Sequence, residues 1–377
     1  MGAGILALPV ETAPAGVVPS LVALAVTWVY SVLTGQMLAE VSIAAQQDAP
    51  PGAPPPSFVT LADNTLGAWG SSAAVSLQFF LQYVLQVAYT ARGGDVIARL
   101  AHVPSPFASV VFTLSLSLLC AAEESSPAVL NAGNGLLLAA LLLSFGTLIA
   151  DVVPHIDTDA LLVANWGAIP DAIPIIALSF VYHNIVPLTV RSCNNDGPST
   201  TQALVLGTAV PLAMYAAWEI AVLGSSGGAP GGVDPLASGG LMVEVFSLCA
   251  VSTSYIGFTL SLVDMLLDTR LAAALRRTGV PETTLKGACI VAAALPPCAA
   301  AIIEPGVFLQ ALEVAGLFGA LILCGVLPGA MVIAKRRASR PGGATDQVYA
   351  APGGDAAAAA VMALGLTVVL GNALDVF

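Results

Sequence analysis

The strongest constraint on this chain is its succession of uninterrupted apolar blocks, among them Val17 to Val41, Ala128 to Ala150 and Ala203 to Leu223. Each approaches or exceeds the roughly 20 residues that cross hydrocarbon as a helix. A β-barrel would instead show alternating segments of about 10 residues. With 57% of residues hydrophobic and 9% charged, against about 25% charged in soluble domains, no water-soluble core could bury this much apolar surface. The fold class read here is an all-α polytopic membrane protein.

Hydropathy and punctuation divide the chain into eleven segments at about 1–14, 17–45, 66–91, 105–122, 128–150, 169–190, 202–223, 240–267, 285–303, 309–334 and 356–374. Between them lie Pro/Gly-rich or polar linkers at 50–56, 224–235 and 340–355, which read as surface loops. A single transmembrane domain is expected. A cytoplasmic N-terminus places Arg191, Arg270, Arg276, Arg277, Lys286, Lys335, Arg336, Arg337 and Arg340 inside, with only Arg92 and Arg99 outside. That asymmetry obeys the positive-inside rule. The formal charge of −12 is spread over loops and helix ends, so it specifies no basic partner and no nucleic acid.

Several chemistries find no support. The six cysteines form no CxxC pair and no Cys/His cluster spaced for zinc, and the three histidines carry no HExxH pattern. Neither an enzyme, nor a metal site, nor a cofactor is expected. Composition suits a bacterial inner membrane or a plastid envelope equally.

Segments one and six are unlike the rest, because glycine and proline interrupt them near mid-depth. The first contains Gly2, Ala3, Gly4 and Ile5 ahead of Pro9; the sixth carries Pro170, Pro174 and Pro187 around Ser179, Phe180, Tyr182 and His183. Broken helices at matching positions of two five-helix halves point to a transporter's substrate site. Repeat one is read over about 1–150, repeat two over about 169–334, and an extra helix over about 356–374. Unwound backbone offers N–H groups at one half-helix and carbonyls at the other. A zwitterion fits, its carboxylate at Gly2 to Ile5 and its ammonium at carbonyls near Ser179 and Phe180.

These strings resemble the aromatic amino acid permeases, the tyrosine and tryptophan transport proteins of the amino acid/polyamine/organocation superfamily. GAGILALP (2–9) resembles the family's first helix. Pro154-His155-Ile156 and AIPIIALSFVYHNIVP (172–187) resemble the fifth and sixth, and AVPLAMYAAWEIAVLG (209–224) and SLCAVSTSYIGFTLSLVDML (247–266) the seventh and eighth. The resemblance implies a LeuT-like 5+5 inverted repeat plus an eleventh helix, and uptake of tyrosine, tryptophan or phenylalanine coupled to proton entry. Family members carry a further stretch ahead of the first signature, so the first helix reads as truncated. They also often have a small residue where Glu11 stands.

Other polar positions carry two readings each. Gln78, Gln82, Gln86 and Tyr89 share one helical face; as helix-bridging groups they are structural, whereas Gln82 and Gln86 are also candidate substrate contacts. Thr253 and Ser254 are packing residues or, with backbone oxygens, a site for a coupling cation, which leaves sodium in play beside the proton. Phe180 and Tyr182 are candidate stacking partners for an aromatic substrate. His183, with Glu11, is a candidate for the coupling proton. Glu219, Glu244 and Glu304 are expected at interfacial water, and Trp28, Tyr30, Trp166 and Trp218 as interfacial or lipid-facing anchors.

Overall fold

The computed structural model describes residues 4–50, 53–225, 240–304, 306–338 and 349–372. Among them regular structure is helical throughout, as hydrocarbon demands of a chain that must satisfy its own backbone. In order come α1 (Gly4–Thr12), α2 (Val17–Gln47), α3 (Phe58–Ala101), α4 (Ser105–Ser125), α5 (Pro127–Val152), α6 (Ile169–Ser179), α7 (Val186–Ser192), α8 (Gly197–Ser225), α9 (Leu241–Leu267), α10 (Arg270–Arg277), α11 (Glu282–Ile303) and α12 (Phe308–Val314). A π-helix (Ala315–Val326) then runs into α13 (Leu327–Ala338), and α14 (Gly354–Asn372) ends the described chain.

Nine stretches among the described residues are long and apolar enough to cross a membrane, and they coincide with nine of the eleven expected segments. The protein is an integral, multi-pass membrane protein. The remaining two segments correspond to α1 and α3. In α3 the backbone turns at Gly67, where φ is 70°, so the expected start near residue 66 is a kink rather than a helix end. Only glycine takes that conformation without strain. Proline marks other starts: Pro104 precedes α4 and Pro127 opens α5, where a missing N–H costs nothing.

The chain divides into two compact units, with boundaries between α1 and α2, inside α3, between α5 and α6, inside α8 and at the last residue of α12. The first comprises residues 1–14, 82–162 and 220–313. In it α5 packs on α9, α4 on α11 and α5, and α9 on α11. A cluster of Cys120, Leu130 and Ile256 joins α4, α5 and α9. Helices α3 and α4 approach so closely that a Cβ on Gly93 would overlap the Phe112 ring, and one on Gly94 would overlap Ser109. Glu244, expected at interfacial water, is buried and takes a two-pronged hydrogen bond from Arg99 at 2.7 and 2.9 Å. The planar guanidinium on α3 is what allows a carboxylate to sit that deep.

The second unit comprises residues 15–81, 163–219 and 314–377. Its centre is α2, against which α6, α7 and α13 pack, while the π-helix packs on α6 and α14. Glu40 on α2 is buried and chelates Arg336 of α13 at 2.9 and 2.6 Å; it also accepts the Ala351 backbone N–H at 2.7 Å. Removing one member of a buried pair of this kind costs about 3–5 kcal/mol, because the other charge is stranded.

Of the four expected anchors Trp218 corrects the sequence reading, while Trp28 and Tyr30 are half-buried. Trp218 is buried, Trp28 donates to Thr208 Oγ1 at 2.9 Å, and the Tyr30 hydroxyl reaches Val361 O at 3.3 Å. Tyr30 fits only because Gly325 and Gly365 leave room for its hydroxyl. Only Trp166 is largely exposed. Glu219 is fully buried instead of reaching interfacial water, whereas Glu304 is exposed as expected. An aromatic or carboxylate near a hydropathy boundary carries no signal of which helix face it occupies.

Candidate functional site

The sixth span is broken where the sequence placed the break. Helix α6 ends at Ser179, Phe180 to Tyr182 leave helical geometry, and a single 3-10 turn (His183–Ile185) leads into α7. The causes are local. Pro174 and Pro187 each remove a backbone donor, and the break lies between them. Phe180 N and Val181 N turn back to Ala177 O and Leu178 O at 3.2 Å, closing the helix with tightened bonds.

A break inside hydrocarbon leaves carbonyls that must find partners, and other spans supply them. Tyr215 of α8 donates to Ser179 O at 3.0 Å, and Ser31 of α2 donates to Phe180 O at 2.9 Å. The exchange is mutual, because Tyr182 Oη donates back to Ser31 O at 3.0 Å. Gln46, farther along α2, donates to Pro187 O at 2.9 Å. Ser31, Thr34, Gln46 and Tyr215 were not among the residues singled out in the sequence. The available signal was the spacing of Thr27, Ser31 and Thr34, which places three hydroxyls on one face of α2.

His183 is buried, and its Nε2 lies 2.8 Å from Thr34 Oγ1. The Thr34 hydroxyl also reaches Ser31 O (2.9 Å) and Tyr30 O (3.2 Å), and donation to either leaves its oxygen to accept from Nε2–H. In that arrangement Nδ1 is the bare nitrogen. Among the described residues Nδ1 has no partner. The imidazole stacks on Tyr182 with ring centres 4.8 Å apart.

A small pocket opens beside the break, with room for about one water-sized group at its centre. Thr27, Tyr30, Ser31 and Thr34 line it from α2; Ala177, Phe180, Val181 and His183 from the break; Ala320, Leu321, Cys324 and Gly325 from the π-helix. No charged side chain lines it.

The other sequence candidates are distributed as follows. Gly2 and Ala3 lie outside the described residues. Gly4 and Ile5 are buried within α1, whose helix runs unbroken from Gly4, so the unwinding expected over Gly4 and Ile5 is not seen. Phe180 is buried edge-on against Tyr215, with ring centres 5.4 Å apart. Gln82 donates to Met265 Sδ at 3.0 Å and Gln86 to Thr259 Oγ1 at 2.5 Å, both toward α9; the Oε1 atoms of both glutamines lack a partner among the described residues. Thr253 and Ser254 turn their hydroxyls onto their own helix, at Cys249 O (3.0 Å) and Ala250 O (2.8 Å). Glu11 lies in the last turn of α1, half-buried and partnered.

Residues 1–227 and 236–372 match the model of the tryptophan/tyrosine permease family. Three named relatives show the same likeness along their length. The chain is 28% identical to a tryptophan-specific transport protein of Shigella flexneri, over 89% of this chain and 84% of that one. It is 27% identical to tyrosine-specific transport system 2 of Haemophilus influenzae, over 87% and 83%. It is 26% identical to the low affinity tryptophan permease of Escherichia coli, over 100% and 94%.

Proposed function

From the premise that the chain belongs to the tryptophan/tyrosine permease family, we propose that it carries aromatic amino acids across its membrane by proton symport with alternating access. The observation that carries this reading is the break at Phe180–Tyr182 within a chain that matches that family almost end to end. Permeases move solutes and are not enzymes. The reading includes a 5+5 inverted repeat with an additional last helix, and it rests there on the resemblance of the first segment and of the fifth to the eighth.

In this reading the substrate sits at the break, where backbone polarity is concentrated at mid-span. Ser179 O and Phe180 O each accept one hydroxyl, and a carbonyl has two lone pairs; each therefore retains one for a substrate ammonium. Tyr182, half-buried beside His183, offers a ring face to an aromatic side chain. Holding the carboxylate on the Gly2 to Ile5 backbone is part of the same proposal and rests on the resemblance. Gln82 and Gln86 keep their place as candidate contacts because each has an unpartnered oxygen among the described residues.

The test is uptake of labelled tyrosine, tryptophan and leucine into proteoliposomes, with and without an inward proton gradient. Accumulation of tyrosine or tryptophan over leucine, driven by the gradient, supports substrate class and coupling together. Equal accumulation driven by sodium alone overturns the proton. No accumulation of any of the three overturns the transport reading itself.

A further inference from the structure

Between the eighth and ninth spans the chain forms a short helix that the proposed transport site does not use. Helix α10 (Arg270–Arg277) starts two residues after α9 and ends four residues before α11. We propose that α10 is an interfacial helix that docks on anionic phospholipid headgroups, with Leu271 and Leu275 set into the acyl boundary and Arg277 among the phosphates.

The helix is held where two spans leave the membrane. Arg276, in its last turn, donates to the carbonyl of Leu267, the final residue of α9, at 2.8 Å. The same guanidinium grips both carboxylate oxygens of Glu282, the first residue of α11, at 2.9 and 2.7 Å. At the other end Thr269 accepts the Ala272 backbone N–H at 3.3 Å and caps the first turn, with Ala272 buried. Tied to both span ends, α10 stays within a side chain's reach of the membrane surface.

Its faces are divided by chemistry. Ala272 and Arg276, four residues apart, make the face that holds the span ends. Leu271 and Leu275, also four apart, make an adjoining edge; Leu271 is 70% exposed and Leu275 36%, with Ala274 and Thr278 exposed beside them. Arg277 is exposed about 140° round the helix from that edge. An apolar edge and a basic edge on one short helix beside the membrane are the pattern of a helix lying in the interface.

Charge selects the headgroup. From Thr269 to Pro281 the chain carries three arginines and no carboxylate, and the flanking Asp268 and Glu282 offset two of the three. The surplus positive charge lies within a Debye length of the headgroups, where an anionic leaflet attracts it and a zwitterionic one does not. The leucines set the depth of the helix, and the arginine sets its preference among lipids.

Amide hydrogen exchange over residues 271–278 of the full chain tests the proposal in two kinds of nanodisc. One is made of phosphatidylcholine, the other of phosphatidylcholine and phosphatidylglycerol in equal parts. Exchange should be about fivefold slower with phosphatidylglycerol, the effect expected of one arginine at an anionic leaflet. High salt and Arg277→Gln should each erase that difference. Equal exchange of the wild type in the two lipids overturns headgroup recognition, as does a difference that survives Arg277→Gln.

The leucine edge is tested separately by the double variant Leu271→Ser, Leu275→Ser, which leaves the Ala272 and Arg276 face untouched. It should exchange faster than the wild type in both lipids; exchange at the wild-type rate overturns the insertion. Discs loaded with one and with two copies of the chain then distinguish lipid from a second protomer. Protection that follows copy number rather than lipid assigns the edge to a protein contact and overturns the proposal. None of these readouts depends on transport, so the permease reading stands or falls apart from them.

Discussion

The sixth and eighth spans each carry a serine that bonds its own helix one turn back, Ser179 to Ile175 O and Ser254 to Ala250 O, but only the sixth is interrupted. In the eighth, α9 is continuous over 27 residues, and Thr253 and Ser254 spend their protons on carbonyls one turn back in the same helix. In the sixth the helix is interrupted, and its carbonyls draw donors from α2 and α8. The lesson is that a broken backbone creates acceptors that draw hydroxyls from other helices, as Phe180 O draws Ser31 from continuous α2. A continuous helix gives its Ser and Thr a local acceptor; a broken one creates acceptors that must be served from elsewhere.

The comparison breaks most visibly if the donors are removed. Ser31→Ala and Tyr215→Phe each strip one donor from a buried carbonyl, at about 1–3 kcal/mol apiece. Because both act on adjacent residues of the break, the double variant should be non-additive. Uptake is expected to fall at least tenfold in each single variant and to vanish in the double, with membrane insertion retained. Measured initial rates that stay within twofold of wild type would show that the break holds its shape without them.

A smaller but more pointed effect is expected from Gly35→Ala. A Cβ there overlaps the Tyr182 hydroxyl and must push it off Ser31 O. Tyr182→Phe removes the same hydrogen bond without the overlap, so the difference between the two variants isolates the steric part. Both should raise the KM for aromatic amino acids more than they lower the maximal rate. An unchanged KM in both would detach Tyr182 from the substrate side of the break.

The eighth span supplies the contrasting prediction. Thr253→Val and Ser254→Ala each remove a hydroxyl bonded only to its own helix, so uptake and its ion dependence should stay within twofold. A specific loss of sodium-stimulated uptake in either variant would instead recover the cation site that the sequence also allowed.

The same contrast explains what was legible in the sequence. Span positions were legible because hydropathy is a property of whole segments, and the sixth-span break because proline acts on its own backbone. The partners of the break were not: nothing local to Ser31 or Tyr215 announces a carbonyl 149 or 36 residues away in the chain. Glu219 and Glu244 were misplaced for the same reason. Burial of a carboxylate depends on a distant group such as Arg99, and sequence adjacency is silent about it.

The weakest effect lies outside the membrane, at a helix end where water competes for the same groups. Asp196 opens α8 by accepting the Ser199 backbone N–H at 2.9 Å, and the bonds from Ser199 hold its carboxyl below the usual aspartate range. A carboxyl with a depressed folded-state pKa stabilises at pH values above its unfolded pKa, and the contribution disappears as pH falls through the folded one. The expected result is a slight fall in thermal stability of the purified protein on acidification below about pH 4, attenuated in Asp196→Asn, whose side chain caps without titrating. Because the residue is exposed, the difference should be the smallest of the series. An equal acid response in Asp196→Asn would assign that limb to other groups.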